Sequence, residues 1–242
     1  MVGVRGLRFS VLAGAALLCA CGVNSHNYGG SSGVPLAELD LGGPAPSTIK
    51  LGGSDRVIVT TGEPFDIEVS GDDEAVEALR FDLDDGSLGI GRRPGTSVGT
   101  AIVRIKTPVI ERLALGGSGL LEADRMAGDT AVDIAGSGTV RIARIEGEKF
   151  AVSIAGSGDL DTAGQVRELS LKIAGSGDAA MVGLHADRAN ISISGSGDAV
   201  FASDGEVSAS IAGSGDVRVV GNARCSVSRA GSGDLVCEPA GN

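Results

Sequence analysis

Tryptophan is absent, tyrosine occurs once, at Tyr28, and phenylalanine five times, so aromatic residues make up 2% of the 242-residue chain. A broad core filled by large rings is thereby excluded, and small aliphatic side chains must fill the interior. Histidine occurs only twice, at His26 and His185. Neither has metal-ligand spacing to a second histidine, which excludes a histidine-built metal centre and leaves both as expected surface residues. Positive charge is in deficit, with 20 basic against 31 acidic residues and a net charge of −11. Nucleic acid and anionic membrane surfaces are therefore not expected partners.

Glycine is abundant, with 40 residues, and it is periodic. Gly-Ser-Gly triplets begin at Gly117, Gly136, Gly156, Gly175, Gly195, Gly213 and Gly231, at intervals of 19, 20, 19, 20, 18 and 18 residues. Such a period belongs to solenoid coils. Two residues before each triplet stand Leu115, Ile134, Ile154, Ile173, Ile193 and Ile211, and then Arg229. Four residues before it the chain is again mostly aliphatic, and the residues between are mostly polar, such as Asp133, Ser153, Lys172 and Ser192. This is the period of two of a half-buried strand. A second alternating strand leaves each triplet, and a looser third side follows with turn residues such as Gly164, Gly183, Gly205 and Gly221. One coil cannot bury its apolar residues alone, but coils stacked at about 4.8 Å turn each column into a continuous interior ladder. The fold class expected is all-β, a single-stranded parallel β-helix or β-solenoid with coils of 18–20 residues. The usual crossover preference favours right-handed winding.

The N-terminus carries Arg5 and Arg8 and then an apolar run, Val11 to Ala20, too short to span a bilayer and suited to a signal-peptide core. It ends in Leu18-Cys19-Ala20-Cys21, which resembles a bacterial lipobox. The resemblance implies that residues 1–20 are removed and that Cys21 carries the lipid. Gly22, where an Asp would signal inner-membrane retention, implies an outer-membrane destination facing the periplasm or the surface. Residues 21–47 are rich in Gly, Ser and Pro and read as a tether. Residues 48–110 alternate without the triplet and read as irregular first coils closing one end of the tube, with a short helix after a capping Asp72. Residues 111–240 are the repeat coils.

Several stretches resemble the head GIN domain of the "putative auto-transporter adhesin" family. They are Thr61-Gly62-Glu63-Pro64-Phe65-Asp66-Ile67-Glu68-Val69, Asp85-Gly86-Ser87-Leu88-Gly89-Ile90, the Thr107-Pro108 step before Leu113-Ala114-Leu115-Gly116-Gly117-Ser118-Gly119, and the recurrent Gly-Ser-Gly-Asp. The resemblance covers residues 48–240 and implies a β-solenoid and an adhesive or envelope-associated role. It supplies no catalytic residues.

Two site readings come from the residues themselves. Cys225 and Cys237 stand six before and six after Gly231 on inward columns of the last coil, and are expected either to bridge, pinning that end, or to be two small core thiols. Asp159, Asp178, Asp198, Asp216 and Asp234 stack at one edge three residues after the first glycine of their triplets. Stacked carboxylates repel unless backbone N–H groups or a cation meet them. Capping of the corner and a calcium or ligand edge are the two possibilities. The serine column lacks a histidine partner and reads as a hydroxyl ladder. The function expected is that of an exported, lipid-anchored, non-enzymatic solenoid, attached to the membrane by its lipid and binding an envelope protein or glycan. The alternatives are a polysaccharide-active β-helix enzyme and a structural spacer. No cofactor is expected, calcium at the aspartate edge apart.

Overall fold

In the computed structural model, which describes residues 33–96 and 99–239, the alternating columns are strands of one sheet wound about an axis. The chain enters the tube with β1 (Thr48–Gly53) and β2 (Arg56–Thr61). It then leaves through β3 (Asp66–Gly71), helix α1 (Asp73–Ala78), β4 (Leu79–Asp84), β5 (Ser87–Arg92) and β6 (Ala101–Thr107). It re-enters with β7 (Arg112–Gly117), β8 (Leu120–Ala123), β9 (Met126–Ala127) and β10 (Thr130–Gly136). The winding continues through β11 (Thr139–Gly156), β12 (Asp159–Gly175), β13 (Ala179–Gly195), β14 (Ala199–Ala202) and β15 (Glu206–Gly213). It finishes with β16 (Val217–Val220), β17 (Arg224–Gly231) and β18 (Leu235–Glu238).

Coil-to-coil pairing is parallel throughout. On the side before the corner, Gly53, Gly117, Gly136, Gly156, Gly175, Gly195, Gly213 and Gly231 stand in one register file. The side after the corner repeats this through β2, β8, the starts of β11 to β13, and β14, β16 and β18. The result is a β-solenoid of about seven turns.

Inside, Ile134, Ile154, Ile173, Ile193 and Ile211 are each at most 2% exposed. Burying one such side chain contributes roughly 1.5–3 kcal/mol, and no coil could bury its own without the next. Two of the three corner residues must be glycine for separate reasons. Gly195 has φ +137°, and a Cβ there would lie 2.0 Å from the carbonyl oxygen of Gly175 one coil below. Gly197 faces inward, where a Cβ would meet Gly177 O at 2.2 Å and Ile173 Cγ2 at 2.9 Å. Ser196, between them, is exposed.

Residues 48–110 behave differently from a set of irregular coils. Thr48–Thr61 is a regular coil with its own corner, Gly53-Ser54-Asp55, in register with Gly117-Ser118-Gly119. Only the excursion from β3 to β6 departs. It is antiparallel within itself, β3 on β6 and β4 on β5, and it lies on the first coil through parallel pairing of β5 with β1 and β6 with β2. Asp55 occupies the inward position that is glycine in later coils, and it fits because no earlier corner presses against it. It is 0% exposed. Arg92 Nε donates to its Oδ2 at 2.8 Å, Arg92 Nη2 donates to its Oδ1, and the Ala101 N–H reaches Oδ1 at 2.8 Å. The hydrogen bond and charge of Asp55 hold the Arg92 proton more firmly than usual, against the opposing effect of burial. The sequence places Asp72 as the cap of α1, but its side chain makes no cap bond. Its Oδ2 accepts the Thr100 N–H at 2.7 Å and ties the helix to the loop before β6.

Candidate functional site

Along the corner edge the serine and aspartate columns run side by side. The aspartates are held by backbone rather than by one another. Asp178 Oδ1 accepts the Asp198 N–H at 2.9 Å, Asp198 Oδ1 accepts the Asp216 N–H at 2.7 Å, and Asp216 Oδ1 accepts the Asp234 N–H at 2.8 Å. Each carboxylate thus reaches one coil onward and binds a main-chain donor that the corner leaves free. Such charge-assisted bonds offset the repulsion between stacked charges. Asp234 closes the file, accepting from the Leu235 N–H at 2.9 Å and from Arg229 Nη1 at 2.7 Å. Asp159 stands at the start of β12 beside Thr139, exposed, and its own N–H donates to Gly138 O at 3.0 Å. Among the described residues no group of three or more His, Cys, Asp or Glu is arranged to hold a metal ion. The serines are exposed, and Ser232 Oγ donates to Ser214 Oγ at 3.1 Å.

Before the corner, the outward residues of β10 to β17 form a plate of mostly small side chains, interrupted by Asp133 and Lys172. Ser153, Lys172, Ser192, Ser210 and Ser228 stand in one register file, and Ala155, Ala174, Ser194, Ala212 and Ala230 in the next. At the far margin the charges alternate coil by coil: Lys149, Glu168, Arg188, Glu206, Arg224. Opposite charges in neighbouring strands favour this register, and a slip of one coil would oppose like charges. A shallow groove of about 340 Å³ lies along the end of this margin, with Arg188, Asn190, Glu206, Ser208, Arg224 and Ser226 in its lining. On the third side, His185 Nε2 lies 3.1 Å from Asp204 Oδ2. The Asn222 N–H donates to Asp204 Oδ1 at 2.8 Å. These two contacts, the Asn222 N–H first, hold the Asp204 carboxyl below its ordinary range.

Cys225 and Cys237 are joined by a disulfide, with Cα atoms 6.7 Å apart. They occupy the inward columns, Cys225 after Val207 and Cys237 after Val219. Val207 is 1% exposed and Val219 0%, whereas Cys225 is exposed and Cys237 half-buried, because no further coil of the described chain covers them. Cys21 lies outside the described residues.

Sequence reasoning missed the Asp55–Arg92 pair and the His185–Asp204 pair. The signal for the first was present, since Gly53-Ser54-Asp55 precedes an alternating strand as the triplets do. The second joins residues one coil apart on the irregular side, where no column spacing exists to read.

Residues 45–223 match the family model described as "Putative auto-transporter adhesin, head GIN domain". The chain belongs to this family. Solved structures share the head GIN fold at low identity. A "putative adhesin" of Bacteroides fragilis superimposes with a TM-score of 0.73 and 21% identity, over 80% of this chain and 92% of that one. A "putative lipid binding protein" of Parabacteroides distasonis gives 0.64 and 21%, over 82% and 94%. A "putative adhesin" of Parabacteroides merdae gives 0.61 and 20%, over 81% and 92%. Among curated proteins no sequence matches the chain. The family and these structures carry names of adhesion and lipid binding, not of catalysis.

Proposed function

We propose that this head GIN protein is a non-enzymatic solenoid of the bacterial envelope, held to the outer membrane by a lipid on Cys21, that binds an extended partner along its plate of small residues. The observation that carries the reading is the in-register Ser and Ala array of β11 to β17, flanked by the aspartate edge and the alternating charge file. A flat surface repeated at the strand spacing offers many weak, equivalent contacts, which suits a repetitive envelope glycan or an extended protein surface. Supporting it, the carboxylates of Asp178, Asp198, Asp216 and Asp234 have backbone donors as partners and do not converge in a cleft as an acid and a base would.

The test is thermal melting over a panel of cell-wall and surface glycans, with calcium and with chelator. A glycan that raises the melting temperature of the parent, and less so that of Ser192→Lys or Ser210→Lys, is the expected result. A shift with calcium alone would move the site to the aspartate edge, and no shift with any of them would favour a structural spacer. For the anchor, labelled fatty acid is expected to enter the parent chain and not Cys21→Ser.

A further inference from the structure

The two ends of the tube differ in whether another chain can join them. At the N-terminal end β5 and β6 cover the first coil, and their remaining edges are paired antiparallel with β4 and β3. The edge of β4 is met in turn by Val34, whose N–H donates to Phe81 O at 2.8 Å. At the C-terminal end β17 pairs only with β15, so its far edge of eight residues has no partner among the described residues. Such an edge is a template for a further strand. It is also free of proline and lies in unbroken register with β15. Val227, on an interior column, is 42% exposed there.

We infer that β17 pairs with β17 of a second copy, tail to tail, about a two-fold axis. Head-to-tail stacking is barred by the flap, so the edge of one copy meets the same edge of another and the pair closes without forming a filament. Interior side chains stay on the interior face only if the axis passes through a residue. With the axis through Val227, that side chain faces its own counterpart, Ser226 faces Ser228, and Cys225 faces Arg229. Charge permits this end to meet itself although the whole chain carries −11. Residues 221–239 contain Arg224, Arg229, Asp234 and Glu238, which balance. Arg229 is drawn aside to Asp234 at 2.7 Å and Glu238 is paired with Arg218 at 2.9 Å, which leaves the apolar Val227 at the centre and neutralised pairs at the rim.

The test uses the full chain in bacterial cells, in two differently tagged copies. Photo-crosslinking from Val227→p-benzoylphenylalanine is expected to give an adduct at twice the chain mass that carries both tags, and the same probe at Lys172 is expected to give none. Val227→Lys puts two like charges on the axis. It is expected to lower co-capture of the two tags at least about tenfold, while the half-exposed site leaves the melting temperature within a few degrees of the parent. Adducts only with other proteins, no adduct at all, or co-capture undiminished by Val227→Lys would each overturn the tail-to-tail pairing.

Discussion

At the N-terminal end the first coil is covered by an antiparallel flap and locked by a buried ion pair. At the C-terminal end the last coil has nothing above it among the described residues, and a disulfide and exposed ion pairs hold it. The contrast shows that the corner motif depends on what lies beneath it. The third corner position is glycine where the corner of an earlier coil lies beneath it, and in the first coil, which has none beneath, it becomes Asp55, which takes Arg92 as partner. The interior column is aliphatic where a coil follows, and in the last coil it becomes Arg229, turned to the corner carboxylate. Each end breaks the repeat at the position whose neighbour is missing.

The largest effect is expected at the covered end. Arg92→Ala would leave the Asp55 charge buried without its partner and should cost about 3–5 kcal/mol in denaturant unfolding. Asp55→Leu with Arg92→Leu should restore most of that loss, because no unpaired charge remains. At the open end, replacing Cys225 and Cys237 by Ala removes a bridge of sequence separation 12. About 3 kcal/mol of restraint is lost, but the loss should be local: amide protection should fall in β17 and β18 while the main melting transition moves little. The same loss spread over β1 to β16 would contradict independent fraying of the last coil.

Between the ends, Thr162 Oγ1 is buried without a hydrogen-bond partner, in a column with Ile142. Thr162→Val should stabilise the tube by about 1 kcal/mol, by calorimetry, and leave both ends unchanged. The smallest effect concerns acid. Asp204 titrates below its ordinary range in the folded chain, so its contribution is present at neutral pH and is lost as pH falls through that lowered value, below about pH 4. Asp204→Asn should flatten the acid limb of a stability-against-pH curve slightly. A steeper limb would reverse the sign.

Most of the solenoid was legible because it repeats. Ile134 to Ile211 and the triplets announce one inward column and one corner, and stacking follows from the need to bury them together. The flap was not legible. Val69, Leu83 and Ile90 alternate as coil strands do; Asp85-Gly86 marks the local hairpin of β4 and β5, but the antiparallel pairing of β3 with β6, which sets the flap apart from a coil, joins segments far apart in sequence. The aspartate ladder could be read as a column. Its partners could not, because an N–H one coil onward becomes available only once the corner geometry is set. The groove beside Arg188, Glu206 and Arg224 has no sequence signature beyond alternating charge at the coil period.

The contrast between the ends is tested most directly by residue-resolved hydrogen exchange on protein dilute enough to be monomeric. Amides of β17 and β18 should exchange first, protection should rise through β16 and β15, and β1, β2 and β5 should be among the last to open. Exchange that begins in the flap and β1 while β17 stays protected would contradict a covered N-terminal end and an open C-terminal one.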